Sequence, residues 1–298
     1  MLRRIPLLLA LVATLAFAAP AAAITNGDPD GDAHPQVGQL LFYVPDVPSA
    51  TFDDPGGWFT CTGTLLNGTI VVTAGHCTFG VGLDGVETTS TGGTGGNDVW
   101  ISFAEEPDYS ILPPSSTFTS NADRYDAWSG ALNASPEWVR GSATPHPDYV
   151  DASFFLFDVG VMELEESISL PDGVEYGALP TEGQLDELYG VKGQTYTAVG
   201  YGLEEKLTGG DTRRVATLKL NNLNGVYGAG KGTSANFSSN SQGGTCFGDS
   251  GGPIFAGTST TIVAVTSFGI SPNCTNGGAY RLDQADDLAF LATFGVTP

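Results

Sequence analysis

The stretch GTCFGDSGGP at residues 244–253 carries more chemical information than any other part of this 298-residue chain. Its glycines allow a tight turn that presents the Ser250 hydroxyl beside closely spaced backbone N–H groups. A serine hydroxyl is a poor nucleophile at neutral pH unless a nearby base accepts its proton, and imidazole titrates close enough to pH 7 to do so. One of the three histidines lies in the stretch TAGHC at residues 73–77. Ser250 and His76 are therefore candidates for a nucleophile and its base.

An acid must orient that imidazole, and several carboxylates between the two stretches could do so: Asp148, Asp151, Asp158 and Glu163. Asp158 is the best candidate because it lies in the apolar run FFLFDVGVM, where burying a lone carboxylate would cost several kcal/mol. A hydrogen bond to His76 would offset that cost. The alternative is a buried aspartate that only accepts from backbone N–H groups. His34 and His146 each precede a proline, and we expect them to be structural or solvated.

Together the two stretches resemble those of the trypsin/chymotrypsin-like serine peptidases, whose chain order is also His, Asp, Ser. The element HPDY at residues 146–149 is similar to one that the family carries upstream of its Asp. The resemblance implies an all-β fold of two six-stranded antiparallel barrels with a C-terminal helix, and an active site in the crevice between the barrels. The peptidase domain would span residues 24–298, with barrels at about 24–165 and about 180–298.

For function, the resemblance implies a secreted serine endopeptidase with a His76, Asp158 and Ser250 triad and an acyl-enzyme intermediate. The oxyanion would be bound by the backbone N–H groups of Gly248 and Ser250. We expect a monomer that needs no cofactor or metal and acts on protein or peptide substrates. Two alternatives stay open: a catalytically silent module that uses this fold to bind a partner, and a hydrolase whose natural substrate is an ester or a single protein.

The same resemblance indicates a substrate pocket with these residues: Gly244, Thr245, Ser267, Phe268, Gly269 and Gly278. Gly244 stands at the floor, where trypsin-like members carry Asp. A buried carboxylate would be needed to offset the desolvation of a lysine or arginine side chain, so tryptic specificity is disfavoured. Gly269 and Gly278 are expected to leave room for a bulky apolar group. We therefore expect cleavage after aromatic or large aliphatic residues.

Residues 1–23 are typical of a secretory signal peptide, with two arginines, an apolar run and small residues before the expected cleavage site. An uncleaved membrane anchor is the alternative, but the apolar run is short and polar residues soon follow it. Cleavage after Ala23 would make Ile24 the new amino terminus. The resemblance implies that its ammonium group then pairs with Asp249 and orders the active site, although Thr25 and Asn26 replace the family's usual Val and Gly.

Charge and cysteine content narrow the function further. The chain has 11 basic and 33 acidic residues, a net charge of −22, which disfavours nucleic acid as a partner. No later segment is long and apolar enough to span a membrane. Four cysteines in an exported chain allow three disulfide pairings, and metal ligation is disfavoured because no CxxC pair is present. The family resemblance selects two pairs, Cys61 with Cys77 and Cys246 with Cys274.

Short β-branched or aromatic runs between glycine-rich turns predict strands at residues 37–44, 63–73, 99–103, 196–201, 214–220 and 261–268. One helix is predicted at the end of the chain, where Asp283 could cap a face formed by Leu288, Leu291 and Phe294. Residues 82–97 and 105–138 are predicted to be irregular connections. In this fold such loops border the substrate cleft, so they either narrow specificity or are tolerated insertions.

Overall fold

The computed structural model describes residues 24–25, 27–82, 96–203, 210–223, 232–238, 244–269, 274 and 276–298. The predicted signal peptide, most of the predicted loop at residues 82–97 and the segment 270–273 lie outside these described residues. Among the helices of the described chain, none has the length and apolar character that crossing a membrane requires.

Six antiparallel strands close into a barrel in the order β2-β3-β4-β7-β6-β5. They are β2 (Val37–Val44), β3 (Gly57–Leu65), β4 (Ile70–Thr73), β5 (Val99–Ser102), β6 (Val139–Pro145) and β7 (Gly160–Leu164). Successive side chains of a strand point to opposite faces, and β2 follows this rule. Leu40 packs with Val71 and Met162 in the barrel core, whereas Leu41 packs with Trp100 on the outer face. The first six-stranded barrel is thus confirmed.

The second β region is a sheet of eight strands among the described residues, in the order β1-β9-β8-β12-β13-β14-β11-β10. They are β1 (Asp28–Pro29), β8 (Tyr196–Gly200), β9 (Arg214–Leu218), β10 (Leu220–Asn222), β11 (Ser234–Ser238), β12 (Pro253–Ala256), β13 (Ile262–Gly269) and β14 (Asn276–Arg281). Two short edge strands account for the difference from the predicted six. Because β1 pairs with β9, residues 28–29 lie on this sheet and not in the first barrel.

The strand predicted at residues 63–73 is two strands, and this part of the prediction was wrong. β3 and β4 are separated at residues 66–69, where the Asn67 side-chain oxygen accepts hydrogen bonds from the backbone N–H groups of Thr69 and Ile70, each at 2.8 Å. An asparagine side chain that bonds the backbone two or three residues onward reverses the chain. The turn places the end of β4 beside β7, with Thr73 opposite Gly160.

The predicted C-terminal helix is present as α3 (Ala285–Ala292), and it buries Leu291 completely. Its predicted cap is wrong. Gln284 is the N-cap residue, and no side chain caps the helix. Asp283 instead accepts hydrogen bonds from the backbone N–H of Leu185 at 2.7 Å and from the Arg281 guanidinium. This carboxylate therefore joins β14 to the short helix α2 (Gln184–Leu188).

The connection predicted to be irregular at residues 105–138 contains a second long helix, α1 (Asn121–Ala134). The Ser120 side chain caps it by accepting a hydrogen bond from the Asp123 N–H at 3.0 Å. Sequence periodicity does not reveal this helix, because it lacks a continuous apolar stripe. Aromatic contacts hold it instead, since Tyr125 and Trp128 pack against Trp58 of β3 with ring centroids 6.1 and 5.3 Å apart.

Candidate active site

His76 lies in a single helical turn, Gly75–Cys77, directly after β4. A disulfide bond between Cys61 and Cys77 attaches this turn to β3, and a second joins Cys246 to Cys274 near the candidate nucleophile. Both are the pairs implied by the family resemblance, and both confirm disulfide bonding. The histidine is thereby held between two strands of the barrel.

Asp158 is fully buried and is hydrogen-bonded to His76. Its carboxylate lies 3.1 and 3.0 Å from the Nδ1 atom of that imidazole and accepts from the backbone N–H of His76 at 2.9 Å. The Ser267 hydroxyl donates to the same carboxylate at 2.5 Å. These partners satisfy a charge that would otherwise be buried alone. A carboxylate bonded to Nδ1 leaves Nε2 as the nitrogen that can accept a proton.

The pKa of His76 is raised above its ordinary value. Burial lowers this pKa, but the charge of Asp158, its hydrogen bond and the charge of Asp151 together raise it by more. Stabilising the imidazolium in this way suits a group that must hold a proton during a reaction and then release it.

Ser250 lies on a tight loop whose shape depends on two glycines. Gly248 has φ of +96° and Gly251 has φ of +77°, a region that other residues rarely adopt. A Cβ atom on Gly251 would lie 2.0 Å from the Thr73 hydroxyl oxygen. The loop is also bonded to β3, because Thr62 donates to the carbonyl oxygens of Ser250 and Gly248 at 2.7 and 3.0 Å.

The backbone N–H groups of Gly248 and Ser250 donate to no protein acceptor within the described part of the chain. By contrast, neighbouring groups are paired: the N–H of Gly251 donates to the Thr266 carbonyl at 2.7 Å, and that of Gly252 to the Asp249 carbonyl at 2.8 Å. Unpaired donors beside a candidate nucleophile can bind a developing negative charge.

Two clefts meet at Ser250 and His76, which among the described residues are the only two that line both. The first has a volume of about 300 Å³. Its described lining includes these residues: Phe154, Thr245, Cys246, Phe247, Thr266, Ser267, Phe268, Gly269 and Cys274. Four of the predicted substrate-pocket residues, Thr245, Ser267, Phe268 and Gly269, therefore lie together beside Ser250.

Two of the predicted pocket residues, Gly244 and Gly278, do not line the first cleft. Gly244 pairs instead with Thr25 in a short β-bridge. The space beside Gly278 is occupied, because a Cβ atom there would lie 2.1 Å from the ring of Phe268. The register of β13 and β14 shifts between Thr266 and Phe268, which places this ring opposite the glycine. The room expected from Gly278 is thus filled by the protein itself.

Ile24 and Asp249 are both fully buried. Ile24 packs with Leu185 and Tyr196 in the core of the second sheet. The Asp249 carboxylate accepts hydrogen bonds from the backbone N–H groups of Gly202 and Cys246, each at 2.8 Å, and among the described residues no cation lies within ion-pair distance. Burial raises the pKa of Asp249 to about 7.

Thr62 was not predicted as a neighbour of the site, because no motif surrounds it, and Asp151, one of the alternative acids by sequence, acts on His76 only through its charge. The remaining histidines have structural partners: His34 contacts Asp30 at 2.5 Å, and His146 stacks on Phe157 at 5.1 Å between ring centroids. Sulfur and nitrogen atoms of Cys61, His76 and Cys77 lie close together, but the two sulfurs form a disulfide and are poor metal ligands.

A mostly β fold with a hydrogen-bonded His–Asp pair, a serine on a glycine turn and, beside it, backbone donors that have no acceptor among the described residues is typical of serine hydrolases. A model of the trypsin family matches residues 119–285, more than half of the chain, and the chain therefore belongs to the trypsin family. This membership supports a serine peptidase as the class of protein.

A solved structure of HL collagenase shares the fold, with a TM-score of 0.63. It is 16% identical in sequence, and the match covers 92% of this chain and 100% of that one. The comparison with curated proteins finds no match.

Proposed function

We propose that residues 24–298 act as a secreted serine endopeptidase with His76, Asp158 and Ser250 as its catalytic triad. The observation that carries this proposal is the buried Asp158 carboxylate on Nδ1 of His76, in the cleft that Ser250 also lines. Family membership supports the class of reaction, and the two disulfides fit an exported protein.

In the proposed reaction His76 takes the proton of the Ser250 hydroxyl through Nε2 while the oxygen attacks the substrate carbonyl carbon. Asp158 holds the imidazole orientation and stabilises the imidazolium. The N–H groups of Gly248 and Ser250 donate to the oxyanion. The protonated His76 then donates its proton to the leaving amine. In the second half of the reaction water attacks the acyl-enzyme, and His76 takes the proton of the water and returns it to the Ser250 oxygen.

The proposed substrate preference is for a bulky apolar residue on the acyl side of the cleaved bond. The first cleft is lined mainly by apolar and small side chains, with no lysine, arginine, aspartate or glutamate among its described lining residues. A lysine or arginine side chain would lose its hydration there without a carboxylate to compensate. A library of peptide substrates should show leucine and phenylalanine at this position, and a profile dominated by arginine and lysine would refute the preference.

The proposed activation step is cleavage before Ile24, after which its ammonium group pairs with Asp249. The pKa of Asp249, about 7, describes a buried carboxyl without that partner. This value exceeds the ordinary 3.8, so the protonated form is favoured by folding. The resulting stabilisation is present at low pH and is lost as the pH rises through about 7.

In a precursor that starts upstream of Ile24, Asp249→Asn should remove this loss of stability with rising pH. Compared with the parent, the free energy of unfolding of the variant should therefore rise by a few kcal/mol between pH 4 and pH 8. In a chain that starts at Ile24, the same variant should instead lose stability, because the ammonium group is left unpaired. Denaturant unfolding of both forms with Ser250→Ala, which prevents self-cleavage, measures the difference. An identical effect in the two forms would contradict the ion pair.

Casein hydrolysis by the purified protein tests the proposed function, with N-terminal sequencing of the same sample. We expect broad proteolysis from a chain that starts at Ile24. Hydrolysis of small esters without casein cleavage would instead favour a narrow esterase or single-substrate enzyme. The absence of both on a chain that starts at Ile24 would favour the silent binding module.

A further inference from the structure

The second cleft is the part of the active-site region whose chemistry the proposed function leaves unused. Its volume is about 570 Å³, almost twice that of the first. It begins at His76 and Ser250 and is walled by apolar side chains, with two carboxylates among them. The remaining described lining residues are Phe42, Val44, Asp46, Val47, Phe59, Thr60, Cys61, Phe79, Gly80 and Asp151.

The second cleft must receive the substrate segment that follows the cleaved bond. The reacting carbonyl lies at Ser250, and Ser250 and His76 are the residues that the two clefts share within the described part of the chain. A chain whose acyl side occupies the first cleft therefore enters the second on its leaving side. His76 stands at the boundary, where it must protonate the leaving amine.

The apolar wall is exposed to solvent and fixed in position. Phe59 is 44% exposed, and its ring lies 6.0 Å from that of Phe42 between centroids. Val47 lies in the loop between β2 and β3, where its carbonyl oxygen accepts a hydrogen bond from Gly56 N–H at 2.8 Å. Exposed aromatic and aliphatic side chains that line a groove mark a place where an apolar side chain can bind.

The connection at residues 105–138, which contains α1, is hydrogen-bonded to this loop. The Asp54 carboxylate accepts hydrogen bonds from the backbone N–H groups of Asn121 and Ala122 at 2.9 and 3.0 Å. The Asn121 side chain returns a hydrogen bond to the Asp54 carbonyl at 2.8 Å. Asn121 itself is fully buried. The connection at residues 105–138, which was predicted to be irregular, therefore supports the wall of the second cleft.

The carboxylates of Asp46 and Asp151 give the second cleft a negative charge that no lysine or arginine in its described lining offsets. Asp151 is close enough to His76 for its charge to raise the pKa of that imidazole. A positive side chain bound between these groups would gain Coulomb energy, and a negative one would be repelled. Both carboxylates are exposed, so the gain per pair is modest and depends on salt.

We infer that the second cleft selects the leaving segment of the substrate, and that it favours an apolar residue directly after the cleaved bond followed by a lysine or arginine. This inference rests on the proposed function, because it needs the Ser250 acyl-enzyme. It adds a substrate class: basic polypeptides cleaved on the amino-terminal side of an apolar–basic pair.

Acyl transfer tests the inference separately from acylation. A peptide ester with leucine at the acyl position forms the acyl-enzyme, and a dipeptide amide then competes with water for it. The amine attacks the acyl carbon, His76 accepts one amine proton and returns it to the Ser250 oxygen, and a new peptide bond replaces the ester. Because water and amine meet the same acyl-enzyme, the ratio of aminolysis to hydrolysis reports binding in the second cleft.

The probes are Leu-Arg amide, Leu-Glu amide and Gly-Arg amide. We expect Leu-Arg amide to exceed Leu-Glu amide in this ratio by about tenfold at low salt, and to exceed Gly-Arg amide by a similar factor. The variant Asp46→Asn should reduce the preference for arginine over glutamate severalfold, and 1 M NaCl should do the same. Asp53→Asn, on the same loop but outside the cleft lining, is the matched control and should leave the ratio unchanged.

Equal ratios for arginine and glutamate, with rapid ester hydrolysis, would overturn the inference and leave the proposed function intact. Equal effects of Asp46→Asn and Asp53→Asn would also overturn the role of the cleft, because general surface charge would then explain the preference. Absence of ester hydrolysis, which is measured before any amide is added, would overturn both the inference and the proposed function.

Discussion

Replacing Ser250 with alanine is expected to lower the turnover number for a peptide substrate by about 10⁵-fold or more. The substitution removes the oxygen that would form the acyl-enzyme, while the backbone donors proposed to bind the oxyanion remain. Its loop should keep its shape, because the Ser250 carbonyl still accepts the Thr62 N–H bond of 2.7 Å and the neighbouring glycines are unchanged. The measurement is steady-state hydrolysis of a peptide with leucine at the acyl position.

Ser259→Ala is the matched control, since this exposed serine lies in a turn outside both clefts. Its turnover should equal that of the parent, and the melting temperatures of both variants should stay close to the parental value. Near-native activity of Ser250→Ala would remove Ser250 as the nucleophile.

Replacing Asp158 with asparagine is expected to lower the turnover number by about 10³–10⁴-fold and to move the pH profile. The amide cannot stabilise an imidazolium, and an NH₂ group facing Nδ1 favours the tautomer that has its proton on Nε2. In the parent, activity is lost as the pH falls through the raised pKa of His76, because only neutral imidazole accepts a proton. Without the charge and hydrogen bond of Asp158, that pKa falls and the acid limb shifts to lower pH.

The measurement is the pH dependence of kcat/KM for the parent and the variant. Asp148→Asn is the control, because Asp148 was an alternative acid by sequence and lies exposed. It should retain the activity and the acid limb of the parent. A variant Asp158→Asn with an unmoved acid limb and turnover within tenfold of the parent would contradict the assignment.

The fold was predictable where the chain carries strong local signals. Residues 37–44 alternate between two buried faces, and the predicted strand has the same bounds as β2. The helix α1 was not predictable in this way, because it is held by aromatic contacts of Trp128 and Tyr125 with residues distant in sequence. Its contact with Asp54 also depends on tertiary structure, whereas its Ser120 cap is a local contact.

In the candidate site, too, the features with a local sequence signal were predictable and those that depend on tertiary structure were not. His76, Asp158 and Ser250 stand in short motifs whose chemistry can be reasoned from the residues alone. The structure bonds His76 to Asp158 and places His76 in a cleft that Ser250 also lines. The position of the Phe268 ring against Gly278 follows from a register shift between two strands, which no local pattern reveals. The contribution of Thr62 likewise arises only when β3 meets the nucleophile loop.

The most direct test of the central claim is labelling with a fluorophosphonate, followed by intact mass and peptide mapping. This reagent reacts with a serine whose hydroxyl is activated by a neighbouring base. We expect one adduct, on Ser250, which is absent from Ser250→Ala and forms at least a thousandfold more slowly in His76→Ala. An unlabelled parent protein that starts at Ile24, or an adduct on any other side chain, would contradict the central claim.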